Sequence, residues 1–233
     1  MKKRATKPLD FIIDKLTNSI ENVITGDSFP TVISLLSAND IKTVTKKRGW
    51  QFDWKYEWKQ PIREVYKLTI PNNPTIIQGL VSLEIRSDHI YMHLVESAPF
   101  NKGRSKIYAG VPGNLVAFAC RLSFQRGFEG NVSFTSKTQL VDHYIKTLGA
   151  IHFGGRLMII ETNASLILID KYFKKSIIMK RGKTELDVDV IGGNTPLTNE
   201  EAKAISEYLK SKKAKKLRTK KASSSTKKDK ATA

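Results

Sequence analysis

The chain has 233 residues, 40% of them hydrophobic, which suits one large folded domain with appendages and excludes a disordered or fibrous protein. Its net charge is +18, but residues 210–233 hold eleven basic side chains against one acid, so that segment carries +10 and the rest a moderate +8. A single cysteine, Cys120, excludes an intrachain disulfide and an all-cysteine metal site.

The start, Met1-Lys2-Lys3-Arg4, looks like the basic region of a signal peptide. Asp10, Asp14 and Lys15 then interrupt the apolar residues, so the apolar region of such a signal is not expected. No stretch approaches the roughly 20 apolar residues that span a bilayer. A cytoplasmic, membrane-free protein is the expectation. His89, His93, His143 and His152 show no clustered metal-ligand spacing, so no metal is expected.

In chain order, apolar residues recur at helical spacing over 8–24, which predicts a helix ended by Thr25-Gly26-Asp27. Residues 31–36 read as a short buried strand. Residues 37–48 read as a second helix, closed by Gly49. In 50–58, Trp50, Phe52, Trp54, Tyr56 and Trp58 alternate with polar residues, a period of two that predicts a strand with one aromatic face. That face fits three uses: packing against the first helix, a wall for an acceptor substrate, or a base-stacking platform. Asp53 and Glu57 oppose the third.

Residues 64–70, 76–86 and 89–96 read as strands joined by the turn Pro71-Asn72-Asn73-Pro74 and the short link Ser87-Asp88, hence an antiparallel meander. A Gly- and Lys-containing loop follows at 101–113. A helix is expected at 114–128, a strand at 131–135, and a helix at 137–148 closed by Gly149. Strands are expected at 157–161 and 165–169. A last helix, 199–209, opens with Thr198 as N-cap and Glu201 three residues on, a capping box. Residues 210–233 are Lys/Ser/Ala/Thr-rich and expected to be disordered. The chain thus divides into an N-terminal segment 1–60, a core 61–209 and a tail 210–233. The fold class is mixed α/β: a central, mostly antiparallel sheet flanked by helices.

Three local features within this order resemble the GNAT superfamily of N-acetyltransferases. The first is Gly110-Val111-Pro112-Gly113-Asn114-Leu115, which resembles that family's pyrophosphate loop. Ile107 stands where Gln or Arg is usual, and Pro112 replaces a small residue and lacks an N–H. Lys102, Arg104 and Lys106 supply compensating charge. The second is Tyr144-Ile145-Lys146-Thr147-Leu148-Gly149-Ala150, similar to the family's Tyr-bearing helix end. The Tyr is one residue farther from the Gly than usual, and Ala150 replaces a Phe. The third is Glu96, at the end of a strand that carries a carboxylate in several members.

The resemblance implies acetyl transfer from acetyl-CoA to an amine acceptor by direct attack in a ternary complex. It assigns Glu96 as base and Tyr144 as acid or thioester neighbour. It places Glu96, Ser97, Lys106, Gly110, Val111, Pro112, Gly113, Asn114, Leu115 and Lys137 around the coenzyme. Apart from family, such a site needs a phosphate cradle, basic groups, and an opened sheet to receive the thioester. Tyr144 also reads as a core aromatic, Glu96 as a structural acid, and Cys120 as a buried structural thiol. The runner-up function is an inactive GNAT-like protein that contacts nucleic acid through residues 210–233, since lysine runs bind phosphates without reading sequence.

Overall fold

The structure, a computed structural model, describes residues 19–173, 186, 188–192 and 197–228, with side chains as far as Leu217. It divides into two compact units, one ending at Asn194 and one starting at Thr195. Residues 19–60 belong to the first unit, and the last helix begins the second.

The first unit is built on a large sheet. Its strands are β3 (Val32–Leu35), β4 (Arg63–Thr69), β5 (Gly79–Ile85), β6 (Ile90–Ser97), β8 (Val132–Thr135), β9 (Ile151–Gly154), β10 (Leu157–Ile160) and β11 (Val190–Gly192). The order is β3-β4-β5-β6-β8-β10-β9, with β11 also on β6. Every pair is antiparallel except β6 with β8, which run parallel. This mixed α/β architecture, with its mostly antiparallel sheet, is the expected class. A small second sheet joins β2 (Ser28–Pro30), β1 (Ser19–Asn22) and β7 (Tyr108–Ala109).

β4, β5 and β6 form the expected meander. All eight residues of β6 are buried, because both faces of the sheet are covered. On one face lies α2 (Val111–Gln125), whose Val111, Leu115, Phe118 and Leu122 meet Val81, Leu83, Met92 and Val95 in the main core. On the other, Trp50 and Trp54 meet Val65, Leu80 and Leu94 in a smaller core. Gly79 admits the close approach of α2 to β5: a Cβ there would lie 2.6 Å from a Val111 methyl.

Several expectations give way to tertiary context. Residues 8–18 lie outside the described residues, but 19–22, expected to be helical, form β1, turned back on β2 through Gly26 at φ +73°. The strand expected at 31–36 is β3, and it is a half-exposed edge rather than a buried strand. The helix expected over 37–48 is two 3-10 turns, Asp40–Lys42 and Lys46–Arg48, the second ended by Gly49 at φ +89°. The aromatic strand is instead the short helix α1 (Trp54–Lys59). Asp53 caps it by accepting from the Tyr56 N–H at 3.0 Å, so its aromatics scatter: Trp54 is 1% exposed and Tyr56 56%.

α3 (Val141–Leu148) ends at Gly149 in the left-handed conformation, as expected. The final strand pair is β9 and β10: β10 is the strand expected at 157–161, and its partner is β9 rather than 165–169. Residues 165–169 lie in α4 (Thr162–Phe173), where Ser165, Leu168, Tyr172 and Phe173 face inward while Ile167 is exposed.

In the second unit α5 spans Asn199–Lys228. Its capping box is present: the Thr198 N–H donates to Glu201 Oε2 at 2.9 Å and the Glu201 N–H to Thr198 Oγ1 at 3.2 Å. The helix runs on through a stretch expected to be disordered, which lysine's good helix propensity permits. Residues 210–217 are exposed along it.

Gly113, in the first turn of α2, is filled by Tyr172: a Cβ would lie 2.1 Å from the ring. Gly113→Ala is expected to cost about 1–3 kcal/mol of stability by overpacking, read from denaturant unfolding. In a Tyr172→Ala background the same change should cost clearly less.

Candidate functional site

The opened sheet comes from the pairing of β6. Its first residues, Ile90, Tyr91 and Met92, run beside Val132, Ser133 and Phe134 of β8. Past Met92 that ladder stops. A bulge at His93 marks the place: Ser82 of β5 opposes Leu94, and the next residue, Leu83, opposes Met92. The two parallel strands part there, and the ends of β6 and α2 meet at the mouth of the gap.

A cleft of about 310 Å³ lies at that mouth, with Ser97, Lys106, Gly110, Pro112, Tyr108 and Asp189 among its lining residues. Gly110 is the N-cap of α2 at φ +85°, a conformation that suits glycine. Pro112 sits in the first helical turn, where proline's missing N–H leaves no intrahelical bond unmade. Its departure from the family loop is therefore a helix-start feature. Ser97 is fully buried, and its Oγ has no hydrogen-bond partner among the described residues.

The other expected coenzyme contacts are placed differently. Val111 and Leu115 are buried in the main core. Gly113 lies under Tyr172. Asn114 donates through Nδ2 to the carbonyls of Ser19 at 2.9 Å and Gly110 at 2.8 Å, tying β1 to the start of α2. Lys137 is exposed before α3 and is not among the residues lining the cleft. The cradle expected from 110–115 thus reduces at the cleft to Gly110 and Pro112, with Ser97 and Lys106 beside them.

Glu96 is wholly buried, and its carboxylate receives four donors. Lys102 Nζ lies 2.5 Å from Oε1 and the Gln51 N–H donates to it at 2.6 Å. Trp54 Nε1 donates to Oε2 at 2.5 Å, with the Phe52 N–H at 3.4 Å. A base needs a free lone pair facing its substrate; this carboxylate ties the 50–54 segment to β6 instead. Lys102, expected to compensate in the phosphate loop, is committed to Glu96.

Tyr144 is 1% exposed and packs edge-on against Phe134 at 5.2 Å. Its hydroxyl donates to the Val190 carbonyl at 3.4 Å, and burial pushes its pKa up. Val190 is also the register partner of Glu96. One residue of β11 therefore accepts from the Tyr144 hydroxyl and pairs through its backbone with Glu96. Cys120 is fully buried, its thiol pushed up to about 12 by burial, as a structural thiol should be.

A polar network absent from the sequence reading lines the α1 side of β5 and β6. Glu57 receives Arg63 NH1 at 2.6 Å and the Ser82 hydroxyl at 2.7 Å. Glu84 holds Arg86 at 2.6 Å and His93 Nε2 at 2.8 Å. Burial would raise the Glu84 pKa, but the His93 hydrogen bond and the Arg86 charge outweigh it and leave it lowered. Burial lowers the His93 pKa against the Glu84 contact, so the imidazole is neutral near pH 7, with Nε2–H donating. Only the position of His93 in β6 hinted at this pairing; its carboxylate partner is nine residues away in sequence. Among the described residues no group of three or more His, Cys, Asp or Glu side chains can hold a metal ion, and no helix is long and apolar enough to cross a membrane.

No family model and no curated protein matches the chain. Among solved structures, a chimera built on the spermidine N-acetyltransferase SpeG from Vibrio cholerae is similar at 15% identity and a TM-score of 0.44, over 59% of this chain and 98% of that one. A mutant of the AtaT toxin, bound to the C-terminus of the antitoxin AtaR and acetyl-CoA, is similar at 14% identity and a TM-score of 0.43, over 60% and 98%. A chain of the KacTA–DNA complex is similar at 14% identity and a TM-score of 0.42, over 60% and 99%.

Removing the Lys102 charge with Lys102→Met is expected to cost about 3–5 kcal/mol, because it strands a buried carboxylate. Urea unfolding followed by tryptophan fluorescence checks it. Stability should also fall as pH drops below 6.5, the ordinary histidine value, because unfolded His89 and His93 take protons that their buried folded forms resist. Thermal unfolding between pH 8 and 5 measures this, and His93→Gln should flatten the slope.

Proposed function

We propose that the chain is an acyl-CoA-dependent N-acyltransferase of GNAT type, moving an acetyl group from acetyl-CoA to an amine. The observation that supports it best is the parting of β6 from β8 beside the N-terminus of α2. That arrangement offers the opened sheet the chemistry needs, with Gly110, Lys106 and the Ser97 hydroxyl, unpartnered among the described residues, at its mouth. Pyrophosphate would sit at the positive end of α2, near Lys106.

In the transfer, the neutral amine attacks the thioester carbonyl, the tetrahedral adduct collapses as its C–S bond breaks, and the sulfur leaves as thiolate, which takes the second proton shed by the nitrogen to give amide and free thiol. Tyr144 serves as hydrogen-bond donor to that sulfur. With its pKa raised by burial well above that of a thiol, it steadies the thiolate rather than surrendering its proton. Glu96 is a positioning residue that holds the 50–54 segment. The proton of the incoming ammonium passes to His93, neutral at pH 7, oriented by Glu84 and located where the sheet opens.

The same proposal gives α5 an accessory role. Its exposed lysines would track nucleic-acid phosphates, which the +10 charge of 210–233 favours, and bring the enzyme to acceptors found there. Membrane insertion has no support in its composition.

Calorimetric titration with acetyl-CoA tests the central claim, repeated on a 1–209 truncation. Both proteins are expected to bind, and only the full chain should retain salt-sensitive binding to a generic duplex. With an acceptor in hand, His93→Gln should lower kcat by roughly 100-fold or more with KM little changed. Tyr144→Phe should lower kcat by a smaller factor. Full turnover by both variants would reject these roles.

A further inference from the structure

β11 lies where the proposed substrate would go. Beyond Met92 the edge of β6 given up by β8 is taken by Val190, Ile191 and Gly192, in antiparallel register with Glu96, Val95 and Leu94. The Ser97 N–H donates to the Asp189 carbonyl at 3.0 Å, and the Gly103 N–H donates to the Asp189 carboxylate at 3.0 Å. The Tyr144 hydroxyl donates to the Val190 carbonyl. Ile191 is fully buried in the main core. At the far end, a Cβ on Gly192 would lie 2.0 Å from the His93 carbonyl oxygen, so the strand is seated tightly against the bulge where the sheet opens.

The backbone of β6 past the bulge, the Ser97 amide and the Tyr144 hydroxyl are the polar groups that an acyl-pantetheine arm, with its two amides and thioester carbonyl, would engage in this gap. Each is bonded to β11 or to Asp189 just before it. Leu186, Val188 and Asp189 also wall one side of the cleft at the start of α2. A ligand seated there touches the segment leading into β11.

We propose that β11 is an intramolecular occupant of the acyl-pantetheine groove, and that acyl-CoA binds by displacing it. The inference rests on the acyl-CoA reading above. Strand and pantetheine compete for one hydrogen-bonding edge, so the chain's affinity for acyl-CoA is reduced by the fraction of molecules in which the groove is open. β11 suits exchange: it is three residues long, and among the described residues its ladder is made with β6 alone.

The test uses the full chain, acetyl-CoA as probe, and hydrogen exchange together with calorimetry. Acetyl-CoA should lower the protection of amides 188–192 while β4 and β5 keep theirs. Gly192→Ala, which drives a methyl into the His93 carbonyl, should tighten acetyl-CoA binding about tenfold by raising the open fraction. Asp189→Asn, which weakens the anchor on Gly103 but also removes a charge from the cleft, is read by exchange rather than affinity: before any acetyl-CoA is added it should lower the protection of amides 190–192. That readout decides the matter if Gly192→Ala does not fold. A Val95→Cys/Ile191→Cys pair, bridged across the register, should bind nothing when oxidised and recover when reduced. Acetyl-CoA bound with 188–192 still protected, or with the bridged protein binding like the reduced one, overturns the displacement and leaves the acyl-CoA reading standing. Folded protein that binds acetyl-CoA in none of these forms overturns the acyl-CoA reading and the displacement with it.

Discussion

A carboxylate shut off from water at the end of the central strand is the constraint on which the site depends. Glu96 would be prohibitively costly to bury alone. It is tolerated because Lys102 brings the opposite charge and because Gln51, Phe52 and Trp54 bring N–H groups. Those donors come from segments on either side of the meander. Satisfying one charge therefore draws the 50–54 segment onto the sheet and folds the chain after β6 back toward it. The packing of Trp54 beneath Leu80 and Leu94, and the route of the loop toward α2, both follow.

The second constraint is the bulge at His93. An extra residue in β6 sharpens its twist just as β8 turns away, which opens an edge in the middle of a sheet. Unpaired backbone amides in a buried place need partners. The chain can fill that need with β11, and a pantetheine arm offers similar groups. Structure and proposed function are linked here: the feature that would admit a coenzyme is also one the apo protein must satisfy by other means.

The network of Glu57, Arg63, Ser82, Glu84 and His93 has a different character. Each carboxylate has a guanidinium and a second partner, so buried charge is balanced locally. It places a neutral imidazole beside the open edge. It also makes the fold sensitive to mild acid, because protonation of His93 would replace a neutral partner with a charge in a poorly solvated position.

Much of the architecture was legible in the residues. Alternating apolar positions and the compact turns at 71–74 and 87–88 determine the meander. Gly149 and the Thr198–Glu201 box mark helix termini, because these signals are local; the helix expected from Asn114 starts instead at Val111, behind Gly110. Period alone misled where packing decides. The alternating aromatics of 50–58 became a helix because Asp53 caps it and Glu96 holds its indole. The apolar run 165–169 became α4 because its neighbours bury one helical face. In the site, Tyr144 and Glu96 could be singled out from their positions in the pattern. That Glu96 is saturated, that Gly113 serves Tyr172, and that His93 meets Glu84 could not, since each depends on residues brought together across the sheet. Only the tertiary structure could show β11 in the gap, because strand pairing between residues about a hundred positions apart leaves no mark in either segment's own composition.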